Sequence, residues 1–244
     1  MSRTLFLSLF LLACGGKGVD SAGGSGDEGL PWDDGGSSSS SDGGSSSGDG
    51  GSGGGSWGST EGTTYRTNPA EGTWEQPAGV GSVLAGYLEH DLAFEVQTAS
   101  SNSVALLIGW ASGSSQDECV ATSRATDSAA SAPDFSAGGE GLALPVTDSE
   151  MRLDTFTLGG SIVGDGGSSI ADVSLSATQD LRNSPEFWET AIGITDPDEI
   201  CDALSSFGVA CEACADGKAY CLSILVTGMT ATSTSVTLAT SSGC

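Results

Sequence analysis

The chain has 244 residues, with 32 Asp and Glu against 7 Lys and Arg, a formal net charge of −25. A surface so acidic repels nucleic acid and anionic lipid headgroups and excludes both as partners. It favours a soluble monomer, and no spaced ligand loop turns its carboxylates into a cation store.

The N-terminus places one positive charge, Arg3, ahead of the apolar run Leu5-Phe6-Leu7-Ser8-Leu9-Phe10-Leu11-Leu12-Ala13, which ends at Cys14. That order of charged, apolar and small-residue regions is a secretory signal peptide, residues 1–13. The run is far shorter than the roughly 20 residues that span a bilayer as a helix. Leu11-Leu12-Ala13-Cys14 resembles the bacterial lipobox, with Leu12 bulkier than is usual at its place. The resemblance implies that Cys14 becomes the mature N-terminus and carries acyl chains. Each buried methylene contributes roughly 0.8 kcal/mol, so more than one chain anchors the protein stably in a lipid bilayer. Gly15 follows, where an Asp would favour the inner membrane. The resemblance therefore implies the outer membrane, with the rest of the chain facing the periplasm or the cell surface.

Residues 14–64 hold the lipidated Cys and a linker of Gly, Ser and scattered Asp. Such a segment buries too little apolar area to offset its ordering entropy and reads as disordered. Its r.m.s. span is roughly 40 Å. Trp32 and Trp57 read as isolated aromatics within it.

Residues 65–244 read as one β-rich domain. Residues 88–98 alternate in part, with Leu92, Phe94 and Val96 on one face. Residues 104–110 form a continuous apolar run suited to a buried strand. Residues 152–163 and 170–178 flank a Gly-rich turn, 164–169, and predict a hairpin. Two helices follow. The weaker begins at Ser184-Pro185-Glu186 and runs to about Ile192. The firmer begins at Asp196-Pro197-Asp198-Glu199 with an N-cap, a first-position Pro and an acidic first turn. Ile200, Ala203, Leu204 and Phe207 continue it at helical spacing, and Gly208 stops it. These helices cap an end or cross a face of the sheet. Tyr220, Leu222, Ile224 and Val226 alternate in a further strand, and Val236 and Leu238 suggest a last short one. The pattern predicts an antiparallel β-sandwich or barrel with one or two short helices, stapled by disulfides.

Setting Cys14 aside leaves Cys119, Cys201, Cys211, Cys214, Cys221 and Cys244. An even number in an exported chain reads as three disulfides, with fifteen pairings open. A turn centred on Gly217-Lys218 sets Cys214 opposite Cys221. Cys201 with Cys211 then staples the firm helix to this hairpin, and Cys119 with Cys244 ties the C-terminus to the middle of the domain. The first two close short loops and stabilise by roughly 2–3 kcal/mol each; the third closes a long loop. In a cytosolic protein the cluster would suggest zinc.

His90, the single histidine, is too little for a zinc site of the catalytic kind, and no Gly-x-Ser-x-Gly elbow accompanies it. No phosphate loop or cofactor motif is present. The residues thus point to no catalytic or metal site and to no cofactor. Gly72-Thr73-Trp74 resembles the Gly-x-Trp opening of lipocalins, which implies an eight-stranded ligand-binding barrel. The chain as a whole resembles acidic lipoproteins of myxobacteria and related bacteria. Gln76-Pro77-Ala78-Gly79-Val80-Gly81-Ser82 and the block from Ile200-Cys201 through Cys211-Glu212-Ala213-Cys214 to Cys221-Leu222 carry that resemblance. It implies location and architecture only. The expectation is a membrane-anchored lipoprotein of the cell envelope with a non-enzymatic structural or binding domain. A lipocalin-like carrier is the alternative, and a thiol-disulfide enzyme using Cys211 and Cys214 a further one.

Overall fold

The computed structural model describes residues 57, 59–147 and 149–244. The signal segment, Cys14, Trp32 and the linker up to residue 56 lie outside the described residues. Among the described residues there are ten strands: β1 (Thr64–Thr67), β2 (Thr73–Gln76), β3 (Asp91–Ser100), β4 (Ser103–Ser112), β5 (Ser115–Gln116), β6 (Ser123–Asp127), β7 (Asp134–Val146), β8 (Ser149–Val163), β9 (Ser169–Asp180) and β10 (Cys221–Thr234). The helices are α1 (Gly81–Ala85), α2 (Pro185–Ile192) and α3 (Pro197–Ser205).

Eight of the strands close into an antiparallel barrel in the order β1-β3-β4-β6-β7-β8-β9-β10, and β10 returns to β1. Each strand pairs with the next one along the chain, which makes an up-and-down barrel. The sandwich alternative is thereby set aside. β5 pairs with β4 alone. β2 lies in line with β1 along β10, after a 3-10 turn at Pro69–Glu71. Gly72 is needed at that crossing, because a Cβ there would sit 2.5 Å from Val226 Cγ1.

Alternation builds the core. Leu92, Phe94 and Val96 of β3 are buried, as are Leu106, Ile108 and Trp110 of β4, Val173 and Leu175 of β9, and Leu222, Ile224 and Val226 of β10. Tyr65 stacks on Phe94 with ring centroids 5.8 Å apart. Its hydroxyl donates to Gly167 O in the β8–β9 turn. The β6–β7 seam has only two paired positions, Ala125 with Gly139 and Thr126 with Gly138. Beyond them, side chains satisfy the β7 carbonyls: Trp110 Nε1 donates to Ala143 O (2.6 Å) and Ser123 Oγ to Gly141 O (2.9 Å).

An up-and-down barrel has two ends, and the connections sort between them. The tight turns 101–102, 128–133 and 164–168 lie at one end. The connections that carry α1, α2 and α3 lie at the other, with Cys119, Cys201, Cys211 and Cys214. α3 is capped as its sequence predicts: the Asp196 carboxylate accepts from the N–H groups of Asp198 and Glu199. α2 ends at Gly193 in the left-handed region, φ 77°.

Three readings of the sequence need correction. Trp57 is no incidental linker aromatic: it is 6% exposed, and its Nε1 donates to Ser100 O at 2.5 Å. Thr60 and Thr64 are buried as well, so the folded unit takes in residues that the sequence placed in the linker. Val236 and Leu238 are buried but form no strand. They pack outside the barrel, on Ala93 of β3 and Leu107 and Ala111 of β4. Finally, Glu212 rather than Cys214 stands opposite Cys221, through bonds of 2.7 and 3.0 Å, and the turn runs from Cys214 to Lys218.

Candidate functional site: the stapled end and the groove beside it

The structure joins Cys119 to Cys244, Cys201 to Cys211 and Cys214 to Cys221, the pairing sketched from the spacing. Cys211 and Cys214 are therefore not joined to each other, as a dithiol redox pair would be. Asp180 lies within 4.8 Å of the sulfurs of Cys214 and Cys221. Both sulfurs are spent in a disulfide, so they offer no thiolate to a metal.

Around this pair the rim is tied by one arginine. Arg182 donates through Nε and Nη2 to Asp180 (2.8 and 2.5 Å) and through Nη1 to Asp216 (2.7 Å). Its guanidinium lies 5.3 Å from the Tyr220 ring centroid. The Arg182 guanidinium holds both carboxyls below their ordinary range. Asp198, hydrogen-bonded to the Tyr220 hydroxyl, pushes that phenol up. Asp154 accepts from Asp180 N and from Asn183 Nδ2, both at 2.5 Å. The network links the end of β9, the cysteine hairpin and the start of α3.

His90 Nε2 stands 3.4 Å from Asp117 Oδ2. Among the described residues no hydroxyl hydrogen-bonds it, and its neighbours are engaged elsewhere: Asp91 with Arg66, and Glu89 with Thr147 Oγ1 at 2.8 Å.

A groove of about 370 Å³ lies on the outer wall next to the stapled end. The strand registers build it. Thr155, Thr178 and Ser223 form one row across β8, β9 and β10, and Thr157, Ser176 and Leu225 form the next but one. Between them Phe156 and Ile224 point to the core and are buried. Gln76 of β2 closes the far side opposite Leu225. Ser223 Oγ donates to Glu212 Oε2 and, further along β10, Thr227 Oγ1 to Glu75 Oε1, both at 2.7 Å. Among the described residues the hydroxyls of Thr155, Thr157, Ser176 and Thr178 meet no hydrogen-bond partner. The groove thus presents hydroxyls and an amide, with carboxylates at its flanks.

The lipocalin-like motif serves packing. Trp74 Nε1 donates to Pro69 O at 2.9 Å, and a Cβ on Gly81 would sit 2.7 Å from Trp74 Cβ, so α1 seats directly on this ring. The barrel interior is filled with side chains, Trp110, Tyr65, Phe94, Met151 and Leu158 among them. Comparison of the chain with family models, with curated proteins and with solved structures finds no match.

Proposed function

We propose that this chain is a lipid-anchored protein of the cell envelope whose barrel works without catalysis, as a rigid binding or structural module. The observation that carries the reading is the conjunction of Leu11-Leu12-Ala13-Cys14 with a domain whose remaining six cysteines pair within it. Disulfides persist where the surroundings oxidise, outside the cytosol. The outer wall supports a lipid tether over insertion of the barrel itself. Exposed positions on it include Arg124, Glu140, Arg152, Asp172 and Ser176, while the interior is apolar. A barrel that spans a bilayer has the opposite polarity. The filled interior favours recognition at the surface over carriage of a ligand inside. The groove of Gln76, Thr157 and Thr178 offers hydrogen bonds to a polar partner, and the charge of −25 disfavours an anionic one.

Metabolic labelling with radioactive palmitate tests the anchor. Wild-type protein is expected to take up label and sediment with membranes. Cys14→Ser is expected to lose both properties. Label that persists in Cys14→Ser would sink the proposal.

A further inference from the structure

The three disulfides differ in what surrounds them. Cys221 is 4% exposed, and Cys201, Cys211 and Cys214 are half-buried, with Cys201 and Cys211 packed against the core. Cys119 and Cys244 are both exposed. The Cys119–Cys244 bond also holds a different kind of structure. Residues 235–244 leave the end of β10, reverse, and run down the outside of β3 and β4 as a strap with no strand pairing.

Besides the disulfide, two backbone bonds hold the strap, from Thr122 N to Ser241 O at 3.0 Å and from Cys244 N to Cys119 O at 3.3 Å, and side-chain contacts do the rest. Gln116 donates to Ala239 O at 2.9 Å and accepts from Ala239 N at 2.6 Å. Ser241 N donates to Thr122 Oγ1 at 3.0 Å, and Ser241 Oγ donates to Glu118 O at 2.5 Å. Val236 and Leu238 cover Ala93, Leu107 and Ala111. None of these contacts belongs to the barrel ladder, so the strap can leave while the ladder stays paired.

We propose that Cys119–Cys244 is a thiol-exchange site that latches this strap, so that its reduction by an external dithiol uncovers the apolar outer face of β3 and β4. A thiolate of the dithiol attacks one Sγ of the pair, forms a mixed disulfide and expels the other Sγ as a thiolate, which takes up a proton. The dithiol's second sulfur then closes on its first, and the remaining cysteine leaves as a thiol. The dithiol loses two electrons and the protein bond gains them. Access governs which disulfide reacts first, and the exposed pair is the accessible one.

The test uses the folded protein under graded dithiothreitol, followed by alkylation and peptide mapping. Cys119 and Cys244 are expected to be alkylated at least about tenfold faster than the other four cysteines. In the same samples, chymotrypsin is expected to cut at Leu238 only after this bond has opened, and binding of a hydrophobic dye is expected to rise in step. Opening of all three bonds together, or of Cys201–Cys211 first, overturns the proposal. So does a strap that stays protected from protease once Cys119 and Cys244 are alkylated. A Cys119→Ala/Cys244→Ala variant should be cut at Leu238 without reductant; if it does not fold, the wild-type time course still decides.

Discussion

Arg182 shows how a single side chain organises an acidic surface. Asp216 is open to solvent, Asp180 is largely covered, and the arginine that joins them is itself partly exposed, so the ion pairs contribute modestly to stability. The sign of that contribution with pH is fixed. A carboxyl whose pKa is lower in the folded than in the unfolded chain stabilises the fold above its unfolded pKa. The benefit is lost as the pH falls through the folded value. Arg182→Met is therefore expected to melt slightly below wild type at neutral pH, with the gap starting to close below about pH 4 and vanishing once the pH passes below the depressed folded values. Thermal melts at stepped pH check this. A gap that stays unchanged down to the acid unfolding of the protein would assign the effect to lost packing on Tyr220 instead. Tyr65 and Trp57 make the complementary point at the other end. Burial pushes the Tyr65 phenol above its usual value, and each ring donates to a backbone carbonyl in a neighbouring turn or strand end.

The elements were legible in proportion to how far one rule explained each of them. β3, β8, β9 and β10 alternate because one face meets the core and the other meets water. The run in β4 is apolar on both faces because the barrel covers one and the strap covers the other. α3 announced itself through Asp196 and Pro197. β6 and β7 did not, because their pairing rests on glycines and on side-chain donors from Trp110 and Ser123 that no local pattern reveals. Val236 and Leu238 misled for a related reason: a strap that buries every second side chain has the period of a strand without its ladder. The groove was not legible at all. Its Thr and Ser residues are ordinary outward positions until the registers align them. At the β6–β7 seam a Cβ on Gly139 would lie 2.3 Å from Arg124 O and 2.5 Å from Phe156 Cζ. Gly139→Ala is expected to cost about 1–3 kcal/mol. In urea this should appear as a lower midpoint with an unchanged slope; an unchanged midpoint would mean that the seam contributes little.

At the scale of the whole molecule, charge and cross-links oppose each other. A net charge of −25 repels itself in the compact state, and the disulfides restrict the unfolded chain. Screening should relieve the repulsion. The melting temperature is expected to rise between about 0.01 M and 0.5 M sodium chloride, as the Debye length falls below the spacing of surface carboxylates. A fall with salt would show that the few ion pairs outweigh the general repulsion.

Barrel closure also sets an order in time. β10 seals the barrel by pairing with β1, yet some 150 residues separate the two strands along the chain. A chain delivered from its N-terminus presents β1 early and β10 late. Until β10 arrives, both outer edges of the growing sheet are open to strands of other molecules. β1 is only four residues long, and β2, which shares its line, ends in Glu75 and Gln76. A short first edge followed by a charged one gives a neighbouring chain little to pair with, so the wait for the last strand can pass without aggregation.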